Sequence, residues 1–166
     1  MKAIAVVGNP KPASRTADAA QRLARALGAE DVELVDVVNL GPGLLGWGDP
    51  EVAAAKGRVQ EAELVIFASP TFKASYTGLL KLFLDQFETG TGLSGVVAVP
   101  LMLGAGPAHA MAPDLLLKPV LVELGATCPT PGLYQLDSAY TDDPQTDAWV
   151  ASWAPTVRAL LGLKAS

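Results

Sequence analysis

AIAVV (Ala3 to Val7), GNPKPASRT (Gly8 to Thr16) and TADAAQRLARAL (Thr16 to Leu27) read as strand, loop and helix in one unbroken run, and that run decides the fold. A short apolar segment rich in β-branched residues and closed by Gly8-Asn9-Pro10 is the pattern of a strand buried on both faces. From Thr16 the apolar residues recur at helical spacing, with alanine dominating, until Gly28 stops the helix. Such a pair is half of a βαβ unit, from which parallel sheets are built.

The alternation continues along the chain. Val32 to Leu40 reads as a second strand, followed by a Gly/Pro/Trp loop through Asp49-Pro50 and a helix over Glu51 to Ala62 with Asp49 as its N-cap. ELVIFA (Glu63 to Ala68) is a third strand, and the helix beyond it carries Leu79, Leu80, Phe83 and Phe87 at core spacing. Val96 to Leu103 is a fourth strand, ending at Gly104-Ala105-Gly106-Pro107. A helix over Pro113 to Leu124, a strand around Thr127 to Leu136 and a helix from Gln145 to Leu161 close the series. Trp149, Trp153, Val157 and Leu160 form the last helix's apolar stripe, and Pro155 predicts a kink or break in it. Five strands and five helices suit a single domain over 1–166. The fold class is α/β, a three-layer flavodoxin-like arrangement with a five-stranded parallel sheet of order 2-1-3-4-5 and helices on both faces. Ligands of such sheets bind at the carboxyl ends of the strands, beside the switch point between strands 1 and 3.

Composition narrows the function. Half of the 166 residues are hydrophobic and 17% are charged, so the chain buries a core and is not disordered. Its net charge of −5, with scattered Lys and Arg, offers no footprint for nucleic acid or an anionic membrane. One cysteine, Cys128, and one histidine, His109, exclude a disulfide framework and a Cys/His zinc site. The uncharged stretch from Thr89 to Pro113 is divided by Pro100, Gly104, Gly106 and Pro107 into a strand and a loop rather than a membrane span. No export signal is visible, and a cytoplasmic location is expected.

Three loops then meet at one sheet edge. Gly8 to Thr16 leads into a helix N-terminus, where free N–H groups and the helix dipole favour an anion; Asn9, Ser14 and Thr16 add polar side chains, Lys11 and Arg15 cations. The competing reading is that Ser14 or Thr16 only caps the helix and the cations are solvated. Pro70-Thr71-Phe72-Lys73 presents backbone polar groups beside an aromatic ring, the combination that holds a flat heterocycle such as a flavin. Standing alone, Phe72 and Tyr76 would be core or interface aromatics. Gly104-Ala105-Gly106 lets a planar ligand approach the backbone and aims N–H groups at its carbonyl edge.

Other motifs are weaker. Gly41 to Gly46 and Gly90 to Gly95 match GxGxxG formally, but the second follows a helix and the first does not open one, so both are loop glycines. His109 reads as a helix-terminus histidine with hydrogen-bonding duties in preference to a proton donor. Cys128, with no adjacent cation, reads as a buried small hydrophobe, and Asp142-Asp143 as a solvated turn.

SPTFKASYTGLLKLFLD (Ser69 to Asp85) resembles the hallmark segment of the NAD(P)H-dependent FMN reductase family, and GNPKPASRT resembles its phosphate loop. GAGPAHA (Gly104 to Ala110) and the later LLLKPVLVELGA resemble the region after strand 4 in the alkanesulfonate-type two-component members, and the match runs from residue 1 to about 140. The resemblance implies FMN as cofactor or substrate and NADPH or NADH as hydride donor. It places Ser14, Arg15 and Thr16, with Lys11 less firmly, on the FMN phosphate, Pro70 to Lys73 along the ring, and Gly104, Ala105 and Gly106 at its pyrimidine edge. It also implies a homodimer or homotetramer assembled through the helix after Ser75-Tyr76-Thr77-Gly78, and reduced flavin passed to a partner monooxygenase. Some two-component members carry an aromatic residue at the position of Leu115. Hydride transfer between stacked rings needs alignment more than a general acid, so a missing triad is no objection. An FMN-dependent quinone or azo reductase and a flavodoxin-type electron carrier are the alternatives.

Overall fold

The structure, a computed structural model, describes residues 1–162. Five parallel strands, β1 (Ala3–Val7), β2 (Val32–Asp36), β3 (Leu64–Pro70), β4 (Val97–Gly104) and β5 (Leu133–Leu136), pair in the order 2-1-3-4-5. Helices α1 (Arg15–Ala26) and α5 (Pro144–Leu160) cover one face; α2 (Pro50–Gln60), α3 (Gly78–Leu84) and α4 (Lys118–Glu123) cover the other. Strand periodicity sorts the core between them. Ile4, Val6, Val65 and Phe67 meet the α2–α4 layer, whereas Ala3, Ala5, Val7, Ile66 and Ala68 meet the α1–α5 layer. Small residues on that second face let the alanine-rich α1 lie close to the sheet. Among the described residues no helix is long and apolar enough to cross a membrane.

Several elements depart from expectation. β2 ends at Asp36, not Leu40: Val37 to Leu45 winds into 3-10 turns, with Gly41 at φ +54° and Pro42 lacking an N–H for a ladder. β5 is shorter than Thr127 to Leu136, because Pro129 and Pro131 cannot donate; Thr127 keeps only an isolated bridge to Val97. The helix foreseen over Pro113 to Leu124 divides. Pro119 has no N–H to offer, and the preceding turn, Pro113–Leu117, is π-wound, with Lys118 N–H reaching the Pro113 carbonyl. α3 stops at Leu84; Phe87 lies beyond it but stays buried, edge-on to Phe83 at 5.3 Å. Pro100 does not divide its segment but sits inside β4, one residue before the β4–β5 ladder begins. α5 runs unbroken past Pro155, which faces solvent; Ala154 and Val157 are buried, and Leu160, expected in the stripe, is 53% exposed.

Candidate functional site

Every candidate residue except Lys73 and Gly106 lines one cleft of about 450 Å³ at the carboxyl ends of β1, β3 and β4. Lys73 and Gly106 line an adjoining cavity of about 550 Å³ that shares Thr71, Gly104 and Ala105 with it. Neither GxGxxG segment reaches either space.

The β1–α1 loop is held from several sides. Asn9 Oδ1 accepts from Lys11 N–H at 2.9 Å and its Nδ2 donates to Thr16 Oγ1 at 3.0 Å, so the Asn9 amide shapes the loop from within. Ser14 is the N-cap of α1, its Oγ accepting from Ala17 N–H at 3.3 Å. Capping uses an oxygen lone pair and leaves the hydroxyl proton available, so cap and cradle coexist. Among the described residues no acceptor meets the N–H groups of Arg15 and Thr16. Those donors, at the positive end of a three-turn helix, suit a phosphate. Arg15 is not a freely solvated cation: its guanidinium lies 3.5 Å from the Asp137 carboxylate and donates to the Asp137 carbonyl at 3.2 Å. Lys11 is exposed and, among the described residues, forms no ion pair.

Residues that carried no sequence signal hold these parts together. Asp36, at the end of β2, is buried and accepts from Ala13 N–H at 3.0 Å, pinning a residue at φ +49° just before the cap. Burial pushes the Asp36 carboxyl above its usual range, and the Ala13 N–H draws it partly back. Thr77 caps α3, its N–H donates to Ser69 Oγ at 3.0 Å, and its hydroxyl donates to the Gly8 carbonyl, which ties the first two loops together. Gly8 is required there: a Cβ would lie 2.4 Å from Leu80 Cβ and 3.1 Å from Leu80 Cα.

The ring side is more open. Thr71 N–H donates to the Leu103 carbonyl at 2.7 Å, while its buried Oγ1 has no partner among the described residues, a free hydroxyl at the junction of the two cavities. Phe72 is half exposed at the rim, and Tyr76 instead packs against the core. Phe72 and Ser75 exchange both backbone hydrogen bonds around Lys73 and Ala74, whose φ values of +50° and +68° make a tight reversed turn. Tyr134 from β5 donates to the Gly106 carbonyl at 2.7 Å, and its hydroxyl stands where a Cβ on Gly104 would fall. The donor set and the free Thr71 hydroxyl fit a phosphorylated flat heterocycle.

Of three other expectations, the one for His109 changes, and those for Cys128 and Asp143 are refined. The His109 side chain ends an exposed 3-10 turn and, among the described residues, makes no hydrogen bond. Cys128 is partly buried, its thiol pushed up to about 11 by burial, with Lys118 near enough to oppose that shift. Asp143 caps α5 by accepting from Gln145 N–H at 3.0 Å.

Residues 1–141 match the family model described as NADPH-dependent FMN reductase. A curated relative from Escherichia coli K12, "FMN reductase (NADPH)", is 33% identical over 147 residues, covering 86% of this chain and 76% of its own. "NADH-dependent FMN reductase SfnF" from Pseudomonas putida is 30% identical over 149 residues, 84% and 80% of the two chains. Among solved structures, an NADH:FMN oxidoreductase (EMOB) in its apo form superposes with a TM-score of 0.83 at 28% identity, covering 99% of this chain and 91% of that one.

Proposed function

The chain belongs to the NADPH-dependent FMN reductase family, and from that premise we propose that its three-loop cleft holds FMN while a nicotinamide dinucleotide delivers hydride to it. The observation that carries the reading is the pair of uncommitted N–H groups at the α1 N-terminus, set in the same cleft as the partnerless Thr71 hydroxyl. Arg15 and Thr16 N–H, the Ser14 hydroxyl and the Arg15 and Lys11 cations receive the phosphate, and Asn9 keeps the loop in shape for it. Pro70, Thr71 and Phe72 line the ring, and Gly104, Ala105 and Gly106 meet its pyrimidine edge. Bound FMN supplies the two-electron chemistry. The protein's task is orientation: the Asp137 contacts fix Arg15, and the Tyr134 bond fixes the Gly104–Gly106 loop. Changing Ser14 and Arg15 together to Ala weakens FMN binding more than tenfold and leaves riboflavin, which lacks the phosphate, unaffected. Equal affinity of wild type and variant for FMN sinks the assignment.

We further propose one cytoplasmic domain over 1–166 that self-associates and passes reduced flavin to a partner monooxygenase. α3 turns Leu80, Phe83 and Leu84 inward and leaves Leu79 and Leu82 only partly buried, so α3 remains the surface proposed to meet a second copy. A monomer at micromolar concentration by light scattering refutes self-association. NADPH or NADH oxidation that saturates with free FMN supports supply to a partner; flavin that stays bound and turns over only with a quinone or azo dye does not.

A further inference from the structure

The phosphate end of the cleft carries a charge of the wrong sign for its task. A dianion is held best where the surrounding charge is positive. Asp137, the first residue after β5, nevertheless lines the same cleft and, among the described residues, is its one carboxylate. Its oxygen lies 3.5 Å from the guanidinium of Arg15, the cation placed on the phosphate. Lys11 and Arg15 bring two positive charges to this end of the cleft, and Asp137 cancels one of them.

Orientation of Arg15 does not require that charge. The Asp137 main chain already holds the arginine: its N–H donates to the Gly104 carbonyl at 3.0 Å, and its own carbonyl accepts from Arg15 at 3.2 Å. The turn that follows is clipped to α1 a second time, Tyr140 Oη donating to the Asp18 carboxylate at 3.0 Å. With the backbone fixed in this way, an uncharged side chain at position 137 leaves Arg15 where it is. The carboxylate and the carbonyl both engage the same guanidinium nitrogen, so the remaining donors of Arg15 stay available to a ligand. A phosphate received there shares its cation with a second anion, and like charge set against a charged ligand weakens its binding. Both side chains are substantially exposed, 64% for Arg15 and 45% for Asp137, so water and salt hold the effect to a modest factor.

We propose that Asp137 sets how readily FMN leaves this chain: its carboxylate competes with the flavin phosphate for Arg15 and keeps the flavin exchangeable. The proposal rests on the FMN reading above and deepens it. The Ser14 cap and the α1 N–H groups supply the hold on the phosphate, and the acid on the opposite side of Arg15 limits it.

Asp137→Asn is the informative variant, because it keeps the size of the side chain and both main-chain bonds while removing the charge. In the full chain it tightens FMN binding about fivefold, read by flavin fluorescence quenching, and slows FMN release in stopped flow by a similar factor. Riboflavin, which has no phosphate to repel, gains nothing. The gap between wild type and variant closes at about 0.5 M NaCl, where exposed charges are screened beyond a few ångströms. Asp137→Ser, different in shape but equally uncharged, gives the same gain. FMN affinity that is unchanged or lower in both variants overturns the proposal and leaves Asp137 a positioning residue for Arg15. A gain that riboflavin shares overturns it as well, since the effect then lies in the loop and not at the phosphate. A wild-type chain that binds no FMN, or binds riboflavin equally tightly, overturns the functional reading and this one with it.

Discussion

The loops after β1 and β3 face the same cleft and are built in opposite ways. The first is fixed by side chains: Asn9 inside it, Ser14 at its exit, Asp36 beneath Ala13 and Thr77 against Gly8. The second is a half-exposed turn closed by its own backbone, with strained residues at its tip. A phosphate has one shape and a fixed charge, so a rigid set of donors loses little entropy on binding it. A site that admits and releases a second molecule on every turnover is served by an open rim.

Gly8→Ala breaks the rigid side and has the largest expected effect. The new Cβ meets the backbone and Cβ of Leu80 at distances no rotamer change relieves, so β1 and α3 must separate. We expect a loss of about 2 kcal/mol or more in urea unfolding, with FMN binding impaired in whatever remains folded. Ala74→Gly, on the open side, has the opposite sign. It removes left-handed strain without touching a buried contact and should stabilise the chain by about 1 kcal/mol. A Tm that falls on this substitution would falsify the strain argument.

This contrast also explains what the sequence discloses. The sheet order was legible because AIAVV and ELVIFA are bounded apolar runs separated by helical periodicity, a signal that depends only on neighbours. The cradle residues from Asn9 to Thr16 were legible for the same reason, lying in one loop between a strand and a helix. Asp36, Asp137 and Tyr134 were not. Each reaches its partner across the sheet, as Tyr134 does to Gly106 and Asp36 to Ala13, and nothing near them in sequence reports that contact. The turn at Lys73 and Ala74 is not legible, since composition gives no sign of a left-handed turn made without glycine or asparagine. Trimmed strands and the π turn share another cause: Pro42, Pro129, Pro131 and Pro119 remove donors at positions where hydrophobicity alone predicts continuation.

Tyr134→Phe sharpens the comparison at the third loop. It deletes one hydrogen bond, to the Gly106 carbonyl, while keeping the ring that fills the space beside Gly104. About 1 kcal/mol of stability should be lost, together with a few-fold of FMN affinity, because the loop at the pyrimidine edge is no longer held. Riboflavin should lose affinity by the same factor as FMN, unlike its behaviour toward the Ser14 and Arg15 variant. A loss confined to FMN would place Tyr134 in the phosphate site and contradict the division between the two sides.

The smallest effect expected is a pH slope from Asp36. Burial raises its carboxyl above the ordinary value of 3.8, the Ala13 N–H opposing only part of that shift. The folded chain therefore holds a proton that the unfolded chain has already released across the window between 3.8 and the raised value. Stability from this proton is complete below the window and declines as pH rises through the folded value. Asp36→Asn is neutral at every pH and keeps an oxygen for Ala13 N–H, so it removes the decline without removing the anchor. Urea unfolding of wild type and variant between about pH 4 and 7 should then give curves that converge in acid and part as pH rises, with the variant the more stable. Parallel curves would mean that the carboxyl is solvated in the folded chain and that the strained Ala13 is held by something other than a buried acid.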